Sequence, residues 1–372
     1  MPSKKHGLIW PAPPHTVAKI EILRGYLNAY FPIVGSSQRG KPILIVDGFA
    51  GPGEYENHPS GSPVIAVETT LQWLDFPRWI AGPVHLAFIE QDEERFSHLQ
   101  SKLSGIDNSP RLQIHFLNCS FSEGIAQLRL KVRAPFESGS PLFVFIDPFG
   151  ATGAPFSVVR EILCSPCSEV FINLDGDGIA RIFRAGERAK SEETLNDIFG
   201  DDSWKQELNA NDFGVQCRQV RDLYIRKLRQ LHRVKYVFPF EMQTKSGALN
   251  YFLIFASQHY QGLTKMKEAM KRLDQDGSYC FADDRHTSGQ LSIFRFDEPE
   301  QYAKQMHKAH FLMDLNYESL RDYALNETPF VNPKSMLAWL EKNELIQVEV
   351  KDGKKRRRGT FKEEDIEYIR FV

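Results

Sequence analysis

The chain has 372 residues, 42% of them hydrophobic and 25% charged, which suits a water-soluble globular protein able to close its core without disulfides or metal. A net charge of -2 excludes a global electrostatic footprint for nucleic acid, so any basic surface has to be local. Five cysteines scattered at 119, 164, 167, 217 and 280 argue against a disulfide framework. The longest apolar runs, such as Leu142 to Ile146 and Tyr251 to Ala256, are strand-sized, and the N-terminal MPSKKHGLIWPAPPHT lacks a signal peptide's apolar stretch; a cytoplasmic protein with no membrane span is expected.

The first helix is predicted over Thr16 to Phe31, where Ile20, Leu23, Leu27 and Phe31 recur at helical spacing and Pro32 should end it. Lys41 to Val46 is a buried strand ahead of glycines. Ser62-Pro63 then opens a helix, with serine as cap and proline at the first helical position. Further strands are predicted at Val84 to Glu90, Leu112 to Leu117, Leu142 to Asp147 and Glu169 to Leu174. Helices are predicted over Glu94 to Leu103, from Pro155, and over Gln216 to Leu231. Lys235 to Met242 and Leu249 to Ser257 lie too close for a parallel crossover and should form an antiparallel hairpin. Five parallel βα units followed by that pair predict an α/β, Rossmann-like class I methyltransferase fold, with a mostly parallel sheet and an antiparallel last strand.

The first strand runs into Asp47-Gly48-Phe49-Ala50-Gly51-Pro52-Gly53. Glycines let the chain turn tightly and let backbone approach a ligand at the carboxyl ends of the strands. A carboxylate ahead of them suits the cationic amino group of a methionine moiety and would repel a pyrophosphate. Neither a G-x-G-x-x-G nor a Gly-Lys-Ser/Thr sequence follows, which leaves S-adenosylmethionine as the expected cofactor. Glu90 ends the second strand, where an acid can accept hydrogen bonds from ribose hydroxyls; an exposed strand-end carboxylate is the alternative. After the third strand, Asn118 and Cys119 stand where an adenine contact is expected.

Asp147-Pro148-Phe149-Gly150 ends the fourth strand, at the position facing the methyl group in this topology. It partly matches the Asp/Asn-Pro-Pro-Tyr/Phe of nucleic-acid amino-methyltransferases, where polar groups hold the target amine and an aromatic ring stacks on the base. Asp147, Pro148 and Phe149 are therefore the catalytic candidates, with a plain proline-terminated strand as the alternative. Asn173 ends the fifth strand. Arg181 and Arg184 follow in a glycine- and arginine-rich loop that borders the substrate mouth or carries ordinary surface charge. Cys164 and Cys167 have no second pair to complete a zinc site, and no metal is expected.

Beyond residue 290 the rhythm changes. Helices predicted over Tyr317 to Leu325 and Pro333 to Lys342 precede strands at Leu345 to Val350 and Gly359 to Phe361. These flank a turn containing Lys354, Lys355, Arg356, Arg357 and Arg358. That pattern reads as a winged-helix-like module whose basic wing contacts nucleic-acid phosphates or is a solvated hairpin tip. The expected domains are 1–285 and 286–372.

The strings DGFAGPGEY…GSPVIAVE, KIEILRGYL, IDPFG, FINL and YFLIFASQHYQGLTKMKEAM together resemble the three-Cys-motif partner family over most of residues 16–275. The resemblance implies a class I methyltransferase fold, S-adenosylmethionine binding and a separate partner protein that carries the three-cysteine motif. It places Asp47, Gly48, Gly51, Gly53, Glu90 and Asp147 at the cofactor and reaction positions. Methyl transfer to nucleic acid is the first functional expectation; a binding module without catalysis and a small-molecule methyltransferase are the others.

Overall fold

The computed structural model describes residues 7–58, 60–186, 189–243, 249–273, 280–282 and 298–372. The chain divides into two compact units, one holding the described residues up to 273 together with 280–282, the other holding 298–372. The expected boundary at 285/286 lies outside the described residues. Among the described residues no helix is long and apolar enough to cross a membrane.

The first unit is built on a sheet of eight strands. The elements run α1 (Pro14–Ser37), β1 (Ile43–Asp47), α2 (Ser62–Leu74), β2 (Val84–Ile89), α3 (Glu93–Lys102), β3 (Leu112–Leu117), α4 (Phe121–Lys131), α5 (Ala134–Glu137) and β4 (Leu142–Ile146). They continue with α6 (Phe156–Cys164), β5 (Ser168–Leu174), α7 (Gly176–Arg184), α8 (Ala189–Phe199), α9 (Trp204–Glu207), α10 (Phe213–Arg229), β6 (Tyr236–Gln243), β7 (Leu249–Ser257), α11 (Tyr260–Leu273) and β8 (Cys280–Ala282). The spatial order is β3-β2-β1-β4-β5-β7-β6-β8. β1 to β5 pair in parallel, and β7 runs antiparallel to both β5 and β6. The expected hairpin is therefore present, and β7, inserted between β5 and β6, is the reversed strand.

β1 and β4 are buried at every position, as strands covered on both faces must be. Ile125 of α4, Val159 of α6, Ile179 of α7 and Val220 of α10 share one core cluster with Val46, Val144 and Ile172 of the sheet. Tyr26 of α1 packs on Phe143 and Phe255.

Pro32 does not end α1. It sits inside a helix that continues to Ser37. A proline in a helix interior costs about 3 kcal/mol. Against that, Phe31 and Val34 are buried, each worth roughly 1.5–3 kcal/mol. The Ser36 and Ser37 hydroxyls also donate back to the carbonyls of Pro32 and Ile33, steadying the last turn. Ser62 is not a cap either: Gly61 holds that position without a side-chain bond, and Ser62 is the first helical residue. Residues 176–184, expected as loop, form α7, because the Asp175 carboxylate accepts a hydrogen bond from Gly178 N at 2.8 Å and caps it.

The second unit contains α12 (Pro299–His310), β9 (Asp314–Leu315), α13 (Tyr317–Glu327), α14 (Lys334–Lys342), β10 (Ile346–Val350) and β11 (Ile366–Phe371), with sheet order β10-β11-β9. Met306, Leu320, Leu337, Ile346, Ile369 and Phe371 belong to its core. The strand expected at Gly359 to Phe361 is absent; the partner of β10 is β11, with Ile346 opposite Phe371. The reason is Glu341, whose carboxylate accepts from Gly359 N at 2.6 Å and so takes the backbone donor a strand would use.

Candidate functional site

β1, β2 and β4 end together, because Asp47 is in register with Phe88 on one side and Phe145 on the other. The glycine loop is stitched to both neighbours. Gly48 N donates to Phe145 O and Ala50 N to Ile89 O, each at 2.9 Å. A Cβ on Gly48 would lie 2.7 Å from the Phe121 ring, and Gly51 and Gly53 hold φ of 60° and 85°. These positions require glycine for close approach and for left-handed backbone. Glu90 completes the loop: one carboxylate oxygen accepts from Gly51 N at 2.9 Å, the other from Asp92 N at 2.7 Å.

A cleft of about 500 Å³ opens over this loop, bordered by Gly48 to Tyr55, Ser62, Glu90 to Asp92, Arg95, Cys119 to Phe121, Asp147 and Phe149. Asp47 is only 4% exposed. Its Oδ1 accepts from Phe49 N at 3.2 Å, and its Oδ2 is buried with no hydrogen-bond partner. Burial pushes its carboxyl up to about 7. The Ser62 side chain and the Phe49 N–H work against that rise, while the charges of Asp147 and Glu90 add to it.

The expected residues do not all converge. Phe49, Ala50 and Cys119 line the cleft with the glycines and Glu90, whereas Asp47 is buried behind them and is not one of the lining residues. Asn118 does not: it is exposed, and its amide donates to the backbone carbonyls of Glu90 and Gln91 at 2.9 and 3.3 Å, so it ties the β2 and β3 ends together.

Asp147 lies where the cleft meets a second recess of about 440 Å³. Trp10, Tyr55, Asp147 and Phe149 border both spaces, and Pro148, Asn173, Asp175, Asp177 and Tyr251 line the recess. Asp147 accepts from Lys19 Nζ with both oxygens, at 2.8 and 2.7 Å, and from Asn173 Nδ2 at 2.6 Å. Lys19 is a buried lysine of α1, 7% exposed, and its ammonium lies 5.3 Å from the Tyr251 ring centroid. Trp10 meets Tyr55 and Phe149 edge-on, and the Arg95 guanidinium lies 5.2 and 5.1 Å from the Trp10 and Phe149 rings. The segment holding Trp10 is clamped by reciprocal hydrogen bonds between Ala12 and Asn57, at 2.6 and 3.0 Å. Sequence reasoning missed Lys19, Trp10, Tyr55 and Tyr251. A lysine beside Ile20 on an otherwise apolar helix face was the one signal available for Lys19.

Arg181 does not border the recess: it is exposed and pairs with Asp177 one turn back at 2.8 Å. Arg184 bonds Gln216 and Asn211 O, a structural role between α7 and α10. Among the described residues no group of three or more His, Cys, Asp or Glu is placed to hold a metal. A third cavity, about 320 Å³, lies at the opposite end of β5 beside Tyr26 and Glu169.

In the second unit the basic turn is largely occupied. Arg356 pairs with the nearly buried Glu341 and lies over Phe361; Lys354 pairs with Asp365 at 3.1 Å; Arg358 donates to Glu341 O at 2.8 Å; Lys351 donates to Glu364 O at 3.2 Å. Sequence grouping placed Arg356 with the contact residues, but the fold uses it to neutralise Glu341. Lys355 and Arg357 are exposed, and among the described residues their side chains carry no ion pair.

No protein-family model matches the sequence, and no curated protein matches it. Among solved structures, the chain is similar to Trm1 from Pyrococcus horikoshii, solved with S-adenosyl-L-methionine, at TM-score 0.37 and 10% identity over 73% of this chain. It spans 61% of the Trm1 length. It is also similar to an O-methyltransferase from Bacillus cereus in complex with SAH, at TM-score 0.32 and 9% identity, covering 66% of this chain and 82% of that one. The order β3-β2-β1-β4-β5-β7-β6 with β7 reversed decides the class. The fold is that of the class I methyltransferases. In this fold the cleft lies at the carboxyl ends of the strands, where an open α/β sheet takes its ligand.

Proposed function

We propose that the chain transfers a methyl group from S-adenosylmethionine to an acceptor held in the Asp147 recess. The observation that carries this reading is Asp47 Oδ2, a buried acceptor with no partner behind a glycine loop at the end of β1. A partly protonated carboxylate that has polar neighbours in Ser62 and Phe49 N–H but no cation among the groups acting on it fits the ammonium of an aminoacyl ligand, which supplies the missing charge. Glu90 holds the loop with one bond to each oxygen; each oxygen has a second lone pair for a ribose hydroxyl. Cys119, Ser120 and Phe121 form the wall beyond it, where the ligand's base would rest.

When bound, the cofactor supplies an electrophilic methyl group on a sulfonium sulfur. The chain's own contribution is alignment and exclusion of water. Lys19 and Asn173 hold the Asp147 carboxylate in one orientation at the junction of the two spaces, so that it can position an acceptor and receive its proton. Trp10, Tyr55 and Phe149 border the junction.

A nucleobase acceptor is the second reading. It is supported by the Asp147-Pro148-Phe149 turn beside aromatic walls and by Lys355 and Arg357 as phosphate contacts. The helix–strand–helix–helix–strand–strand order of 298–372 supports a winged-helix module in that role. A three-cysteine partner protein rests on the sequence resemblance.

Calorimetric titration with S-adenosylhomocysteine tests the cofactor reading, with Asp47→Ala expected to weaken binding at least tenfold. Tritiated methyl transfer to RNA, DNA and metabolite pools tests catalysis. Absence of S-adenosylhomocysteine binding to the wild-type chain would remove the proposal; binding without transfer to any pool would favour a non-catalytic module.

A further inference from the structure

The recess beside Asp147 differs in chemistry from a pocket built for a phosphate-bearing substrate. Asp147, Asp175 and Asp177 line it, with Lys19 as the lysine among its walls. Arg181 neutralises Asp177 from the solvent side, where its side chain is 71% exposed, yet the acids still outnumber these cations. Two amide or carboxylate oxygens of the lining are buried without a hydrogen-bond partner, Asn173 Oδ1 and Asp177 Oδ1. Both are acceptors, since the Asn173 amide nitrogen is committed to Asp147. A ligand that satisfies them has to bring donors. The walls are aromatic: Trp10, Tyr55, Phe149 and Tyr251. Their affinity for cations shows within the protein, where Lys19 lies over Tyr251 and Arg95 over Trp10 and Phe149.

We infer that the acceptor is a ring-bearing amine, cationic in solution and free of phosphate, whose ring sits among the aromatic walls and whose nitrogen faces Asp147, Asn173 and Asp177. This rests on the methyltransferase reading and names its substrate class. In the transfer, the amine first gives its proton to a recess carboxylate. The nitrogen lone pair then forms the N–C bond as the S–C bond breaks, its electron pair passing to sulfur. The products are the N-methylated amine and S-adenosylhomocysteine. A phosphate group at the same place would meet three carboxylates, each repelling it with little screening in a partly buried site.

The test uses the full chain saturated with S-adenosylhomocysteine and three probes followed by calorimetry: tryptamine, indole-3-acetate and adenosine 5′-monophosphate. Tryptamine and indole-3-acetate share a ring and differ in the sign of their charge. Tryptamine is expected to bind at least tenfold tighter than either anion. The double variant Asp175→Asn with Asp177→Asn, which keeps the capping geometry of α7, should cut that affinity at least tenfold while S-adenosylhomocysteine binding is unchanged. Equal or tighter binding of either anion, or tryptamine affinity indifferent to the double variant, overturns the inference and leaves the cofactor reading standing. If S-adenosylhomocysteine itself fails to bind, both fall.

Discussion

Replacing Asp47 with asparagine should stabilise the ligand-free chain at pH 8 while weakening its hold on the cofactor. Burial raises this carboxyl from 3.8 to about 7. The folded chain therefore binds the proton more tightly than the unfolded chain does. The resulting stability is fully present below about pH 4 and is lost as pH rises towards 7; above that the full penalty of an ionised, buried Asp47 is present. At 1.36 kcal/mol per tenfold in proton affinity, that penalty is about 4 kcal/mol. Asparagine keeps the shape and an oxygen for Phe49 N–H but carries no charge. Its melting temperature at pH 8 should exceed wild type by on the order of 8 °C, with the gain shrinking towards zero near pH 4. Scanning calorimetry of the ligand-free proteins at pH 8, 6 and 4 measures this directly, and S-adenosylhomocysteine titration at pH 8 should show at least a tenfold loss in the variant. Wild-type affinity should also fall roughly tenfold between pH 8 and pH 6 as Asp47 takes up its proton. A variant that is neutral or destabilised at pH 8, or a gain independent of pH, would refute the claim that Asp47 is held ionised against its surroundings for a cationic ligand.

Gly48→Ala should abolish measurable cofactor binding and cost about 1–3 kcal/mol in urea unfolding, because the added Cβ would sit 2.7 Å from the Phe121 ring. Lys19→Met leaves Asp147 with Asn173 alone and should destabilise the fold by about 3–5 kcal/mol; adding Asp147→Leu should restore most of that, as denaturant titration of the two variants would show. Burial and the neighbouring His115 lower His85 to about 4, so its stabilising neutral form is present above about pH 6.5 and is lost as pH falls towards 4; His85→Phe should flatten that part of the acid unfolding curve. Neutralising Lys355 and Arg357 together should lower the salt slope of any nucleic-acid binding by about 2, whereas Arg356→Ala should instead destabilise its own unit by stranding Glu341; an unaltered slope removes the basic turn as a contact surface.

Much of this protein was legible as one-dimensional chemistry. Short apolar runs located β1 to β7, and they are unbroken over Ile43–Val46 of β1 and throughout β4, strands buried at every position. The Asp47 to Gly53 loop announced itself because left-handed backbone and close approach admit glycine and little else. In three places a distant partner had overridden a local preference. Pro32 ought to stop a helix, and packing on the sheet carries α1 through it. Gly359 to Phe361 has the pattern of a strand, and Glu341 takes the backbone donor the ladder needed. The basic turn reads as a surface for phosphates until Glu341 and Asp365, near it only in space, neutralise part of it. Likewise, nothing in the spacing between Lys19, Asp147 and Asn173 connects them; the sheet order alone brings three separate segments to one carboxylate. Sequence by itself determined the elements and the glycine cradle, because those depend on neighbours along the chain. Which charges remain unpaired, and so what the recess can accept, was decided by tertiary structure, because electrostatic compensation depends on distance in space.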